Sequence, residues 1–92
     1  MKRVRIYSAP DCYYCDRAKA LLTKKGVAYE EIDVEVNREA MKQVIAQTGR
    51  RTVPQIFIED YHVGGCDDLY ALEELGKLDS LLGLPKQGDP PS

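Results

Sequence analysis

From residue 2 to residue 7 the chain alternates Arg3 and Arg5 with Val4 and Ile6, the period-2 pattern of a strand with one protected face. Pro10 then marks a turn, with Asp11 a candidate helix cap. Beyond it the period changes. Cys15, Ala18, Leu21 and Leu22 recur at helical spacing, Arg17, Lys19, Lys24 and Lys25 fill the other side, and Gly26 is a stop signal. Residues 27–34, rich in Val, Tyr and Ile, predict a second strand. Asn37 predicts the cap of a second helix with Ala40, Met41, Val44 and Ile45 on its buried stripe and Gly49 at its end. Residues 52–58 predict a third strand, with Pro54 confined to its start because proline cannot donate to a ladder. Glu59 and Asp60 turn the chain into a short antiparallel partner at Tyr61, His62 and Val63, and Gly64-Gly65 ends it. Asp67 or Asp68 then opens a helix carrying Leu69, Leu72 and Leu75, closed by Gly76. A last short helix is expected around Leu78, Leu81 and Leu82, and residues 85–92 read as a disordered polar tail.

The order is β-α-β-α-β-β-α with a short C-terminal helix, an α/β chain. A strand–helix–strand crossover of this length implies a parallel pair with the helix on one sheet face. The 92 residues make one domain, spanning residues 1–84, and leave no room for a second. Thirteen basic and fifteen acidic side chains give a net charge of −2, which argues against a nucleic-acid partner or an anionic membrane surface. No apolar run reaches membrane-spanning length, and residues 1–11 lack the apolar core of a signal peptide. Three cysteines are too few for a secreted disulfide framework. The expected setting is the reducing cytoplasm.

Cys12-Tyr13-Tyr14-Cys15 carries the chemistry. Two cysteines one helical turn apart place their Cα atoms roughly 5 Å from each other, within disulfide range. At a helix N-terminus, unpaired N–H groups and the positive end of the dipole favour thiolate over thiol. Cys12 is therefore the attacking sulfur. Cys15, deeper in the helix, resolves a mixed disulfide formed on Cys12. A zinc site from Cys12, Cys15, His62 and Cys66 is possible on paper, but zinc sites usually hold together loop-rich folds, and this chain has its own core. His62 is expected to be an exposed strand residue, and Cys66 a small apolar filler, open to oxidation or glutathionylation if exposed.

Four segments together resemble the glutaredoxins, within the thioredoxin fold. They are Cys12-Tyr13-Tyr14-Cys15 for the family's C-P-Y-C, Thr52-Val53-Pro54 for its T-V-P, Gln55-Ile56-Phe57-Ile58 after it, and Gly64-Gly65-Cys66-Asp67-Asp68-Leu69. The chain has no tryptophan, so the W-C-G-P-C of longer thioredoxins is absent. The resemblance implies a mixed four-stranded central sheet flanked by helices. It implies a glutathione-dependent oxidoreductase acting on protein–glutathione mixed disulfides and protein disulfides, with glutathione and such proteins as partners. Pro54 would be cis and face the cysteines, leaving the Val53 backbone to pair with an extended peptide. Tyr14 would line the glutathione groove. Gly64-Gly65 would let the backbone approach the ligand closely, the backbone at Cys66 and Asp67 would hold the γ-glutamyl end, and Asp67 or Asp68 would pair its ammonium.

Two positions depart from the family. Ala9 stands where many relatives carry a lysine for the glycyl carboxylate, so another cation is needed: Arg50, Arg51, Arg17 or Lys19, with Arg51, beside Thr52, favoured. Tyr13 stands in place of proline, which adds an N–H and relaxes φ near the sulfur. Relatives without that proline include some that hold a 2Fe-2S cluster between two subunits through the first cysteine and glutathione. That defines the rival function, with Cys12 as ligand. A monomer is expected, a dimer only with a cluster bound.

Overall fold

The computed structural model describes residues 2–84; the predicted tail, residues 85–92, lies outside the described residues. The elements are β1 (Val4–Ser8), α1 (Tyr13–Lys24), β2 (Glu30–Asp33), α2 (Arg38–Thr48), β3 (Gln55–Ile58), β4 (Tyr61–Gly64), α3 (Cys66–Glu74) and α4 (Leu78–Leu82). They form one four-stranded sheet in the order β2-β1-β3-β4, with β1 parallel to β2 and antiparallel to β3, and β3 antiparallel to β4. This is the mixed, helix-flanked sheet of the thioredoxin fold.

The alternation in β1 sorts the two faces. Val4 and Ile6 join Ile56, Ile58 and Val63 beneath Ala18, Leu21 and Leu22 of α1, Leu69 of α3, and Leu78 and Leu82 of α4. Tyr7 and Phe57 face the other way, against Ala40 and Val44 of α2. Their rings meet edge to face at 5.7 Å, and the Arg5 guanidinium caps Phe57 at 5.1 Å. Both layers therefore hold β1 and β3 in the middle of the sheet, and the ends of these two strands carry the site.

Several expectations change. The second strand is shorter than 27–34: Val27 is buried, but its N–H bonds to Leu22 O and finishes α1 in place of joining the sheet. On α2, Ala40 and Val44 are fully covered while Met41 and Ile45 are only partly so. Asn37 does cap that helix, through Ala40 N–H at 3.1 Å, and Gly49 ends it at φ 72°. Leu75 is exposed, being the C-cap of α3. Lys25 does not face outward: its ammonium pairs with Glu73 at 2.6 Å and Asp79 at 2.8 Å, tying α1 to α3 and α4.

Candidate functional site

β1 ends at Ser8, and the loop that follows delivers Cys12 to the N-cap of α1. Asp11, the cap expected from residue type, has φ 56° and lies outside the extended region that a cap requires. Cys12 has that geometry, φ −109° and ψ 106°, and its Sγ accepts the Cys15 N–H at 3.1 Å. The sulfur thus occupies the position where the helix offers an N–H and the positive end of its dipole, which stabilises negative charge on sulfur when the pair is reduced. Cys12 and Cys15 are joined as a disulfide with Cα atoms 5.2 Å apart. Cys12 is half-buried and Cys15 wholly buried, so an external sulfur reaches Cys12 first. Tyr13 and Tyr14 stand exposed beside it, their rings 5.3 Å apart.

Against this turn lies the segment before β3. The Val53–Pro54 bond is cis, and the Val53 carbonyl oxygen lies 4.0 Å from Cys12 Sγ. Thr52, Val53 and Pro54 form one wall of a groove of about 540 Å³. Gly65, Cys66, Asp67 and Asp68, at the start of α3, form another, and Tyr14 and Arg50 complete the lining. Apart from the two cysteines, the site residues expected from the sequence all line this groove except Arg51, which is exposed, whereas its neighbour Arg50 does line it.

The α3 wall is shaped by a bulge and a glycine. Ile56 pairs with Gly64 and Phe57 with His62, so Val63 is an extra residue in β4, a bulge just before the groove residues. Gly64 has φ 113°, a conformation that costs other residues, and a Cβ there would collide with the Asp68 carboxylate. α3 begins at Cys66, one or two residues earlier than expected, with Gly65 as N-cap. Asp68 Oδ2 accepts the Gly65 N–H at 2.9 Å and pairs with Arg50 Nη1 at 3.1 Å. That N–H, helped by Arg50, holds the Asp68 carboxyl below the usual carboxylate range against the opposing effect of burial. Burial pushes the Cys66 thiol up, so this third, free cysteine is a neutral thiol at neutral pH.

Two side chains escaped the sequence reading. Gln55 is wholly buried, and His62, expected to be exposed, is half-buried with Nε2 2.8 Å from Gln55 Oε1. A polar residue at the first position of an otherwise apolar strand was the available signal. Among the described residues no helix is long and apolar enough to cross a membrane, and no three His, Cys, Asp or Glu side chains cluster in a way that could hold a metal ion.

Comparison with known proteins gives a consistent result. The Glutaredoxin family model matches residues 4–63. Glutaredoxin 3 of Escherichia coli is 52% identical over 82 residues, covering 89% of this chain and 99% of that protein. The solution structure of a glutaredoxin from Brucella melitensis is 54% identical with a TM-score of 0.79, covering 98% of this chain and 95% of the other. The crystal structure of a buckwheat glutaredoxin–glutathione complex is 32% identical with a TM-score of 0.82, covering 87% and 76%.

Proposed function

The chain belongs to the glutaredoxin family, whose role is thiol–disulfide exchange, and from that premise we propose that it uses glutathione to reduce protein–glutathione mixed disulfides and protein disulfides. One observation carries the reading: the half-buried Cys12 sulfur adjoins a groove with main-chain groups on one wall and a helix N-terminus on the other. Glutathione has matching parts: a peptide main chain, a carboxylate and ammonium at one end, and a second carboxylate at the other. In this reading the Val53 backbone, flanked by Thr52 and Pro54, pairs with the cysteinyl main chain, and Tyr14 packs on the tripeptide. The N–H groups of Cys66 and Asp67, next to Gly65, hold the γ-glutamyl carboxylate, with Asp68 or Asp67 on its ammonium. For the glycyl carboxylate at the other end the cation is Arg51, beside Thr52, since Arg50, which lines the groove, is paired with Asp68 at the γ-glutamyl end.

The Cys12 thiolate attacks the glutathione sulfur of a mixed disulfide. The bond to the protein sulfur breaks, that sulfur leaves as thiolate and takes a proton, and Cys12 now carries glutathione. A second glutathione thiolate attacks the adduct, releasing oxidised glutathione and restoring the Cys12 thiolate. This route needs Cys12 alone. With a protein disulfide, Cys12 attacks one sulfur, and the Cys15 thiolate then displaces the substrate by closing the Cys12–Cys15 bond. The substrate leaves as two thiols, and two glutathiones reopen the pair, leaving together as oxidised glutathione. The protein acts as a monomer in the cytoplasm, where the pair is kept reduced.

The rival reading, a 2Fe-2S carrier, is motivated by Tyr13 in place of proline. The described residues of one chain offer Cys12 but no ligand cluster, so the ligands would have to come from glutathione and a second copy. A glutathione-coupled reduction assay beside anaerobic reconstitution with iron, sulfide and glutathione separates the two. The expected result is a colourless monomer that reduces mixed disulfides, with Cys15→Ser retaining this activity and losing protein-disulfide reduction. A brown dimer with little turnover, or loss of deglutathionylation in Cys15→Ser, overturns it.

A further inference from the structure

The buried amide of Gln55 connects a half-buried histidine to the groove wall. Its Nε2 lies 2.9 Å from the Thr52 carbonyl oxygen and 3.2 Å from Thr52 Oγ1. The carbonyl can only accept, so the amide nitrogen must face Thr52 and Oε1 must face His62. Only a donor can satisfy that oxygen at 2.8 Å, so His62 carries a proton on Nε2. Burial and the neighbouring Arg50 hold the ring below the usual imidazole range, against a smaller opposing effect of Asp68, so it is neutral at pH 7. Its position is set by Phe57, whose ring lies 4.9 Å away at a 34° tilt, and by the β4 bulge beside it.

Each link has one arrangement that satisfies it. His62 fixes Gln55, and Gln55 occupies both the carbonyl and the hydroxyl of Thr52, the residue before the Val53 peptide that faces Cys12. We propose that His62 and Gln55 are positioning residues: touching no substrate, they hold the Thr52, Val53 and Pro54 wall at the spacing from Cys12 that lets a substrate main chain pair with Val53. The proposal extends the glutathione reading, and its kinetic test rests on that reading. Once the wall is loosened, main-chain pairing weakens while the sulfur chemistry at the α1 cap is untouched, so KM moves and kcat does not.

The test compares His62→Phe, which keeps a flat ring against Phe57 but loses the donor, with His62→Gln, which restores one. For a glutathione mixed disulfide, His62→Phe is expected to raise KM about five- to tenfold with kcat within about twofold, and His62→Gln to recover most of that loss. In a Gln55→Leu background, His62→Phe should add nothing further. An unchanged KM, an equal loss in both histidine variants, or additive effects would each overturn the proposal. Imidazole nitrogen NMR of the wild-type protein provides a readout independent of substrate. A proton on Nε2 is expected, and one on Nδ1 at neutral pH rules the pair out. If the wild type reduces a disulfide-bonded peptide but no glutathione mixed disulfide, the glutathione reading fails alone, and KM for that peptide, whose main chain can pair with Val53, then decides on the pair by the same criteria.

Discussion

The first turns of α1 and α3 both border the groove, yet they are capped in opposite ways. At α1 the N-cap is Cys12, and its sulfur takes the Cys15 N–H. At α3 the N-cap is Gly65, which has no side chain to offer, and Asp68 turns back to the Gly65 N–H instead. The same physics, unpaired N–H groups at the positive end of a helix dipole, is used internally in one case and left open in the other. α1 stabilises charge on the protein's own sulfur. α3 leaves its leading N–H groups without a side-chain cap at the groove, where the proposed glutathione carboxylate would meet them. In the proposed reading, chemistry and recognition are thereby separated onto two helices that meet across one groove.

The most severe way to break this division is Cys12→Ser. Serine is a better cap than cysteine, so α1 should keep its stability in a thermal melt. Reduction of both mixed disulfides and protein disulfides should nonetheless fall by about three orders of magnitude or more, because the hydroxyl neither ionises nor exchanges with sulfur. Residual turnover above a few per cent would mean that another thiol attacks. The counterpart at α3 is Gly64→Ala. The new Cβ must occupy φ 113° and displace the Asp68 carboxylate and Arg50, so urea unfolding should show a loss of about 1–3 kcal/mol. Cys12 alkylation should stay within about twofold if the two helix starts are independent.

How far this division could be read from the sequence differs between the two ends. The buried stripe of α1, the Asn37 cap, the glycine stops and the crossover were all legible, since each rests on local spacing or on one residue's φ/ψ range. Asp11 misled because residue preference ranks Asp above Cys as a cap, whereas the cap went to the residue with extended backbone. That Arg50, and not Arg51, lines the groove was not legible, because neighbouring residues on irregular backbone point differently and Arg50 turns to Asp68 across 18 residues of chain. Lys25 and His62 were given to solvent because their partners, Glu73 with Asp79 and Gln55, reach them only through the tertiary fold. Local signals thus located the sulfur pair, and non-local contacts decided which polar side chains surround it.

Asp68→Asn tests the recognition half more gently. Since the Gly65 N–H and Arg50 favour the carboxylate, its folded pKa lies below the unfolded value of about 3.9. The stabilisation is present above that unfolded value and is lost as pH falls through the folded one. Wild-type stability should therefore decline more steeply than that of Asp68→Asn below about pH 4. At pH 7 the variant should be weaker by less than about 1 kcal/mol, because the pair is half exposed and the amide oxygen can still accept from Gly65. If Asp68 also meets the ammonium of glutathione, KM for a mixed disulfide should rise about three- to tenfold. N-acetylating the glutathione should erase the difference between variant and wild type. A difference that survives acetylation would move the ammonium contact to Asp67.

The smallest expected effect sharpens the α1 side. Both helices carry acids in the first turn, Asp16 in α1 and Asp67 with Asp68 in α3. In the proposed reading the acids at α3 serve recognition, but at α1 an anion one turn from Cys12 opposes the thiolate that the cap favours. Asp16 is mostly exposed and partly offset by Lys19, whose ammonium lies 3.5 Å away and is held at 2.9 Å by Glu31. Screening and the Lys19 counter-charge should therefore leave little of the repulsion. Asp16→Asn is expected to speed alkylation of reduced Cys12 at pH 6 by no more than about twofold at low salt, and the gain should vanish near 1 M salt. A larger, salt-independent gain would mean that Asp16 acts through the structure of the cap. The clean assignment of charge stabilisation to the α1 N–H groups would then have to include a restraint from this carboxylate.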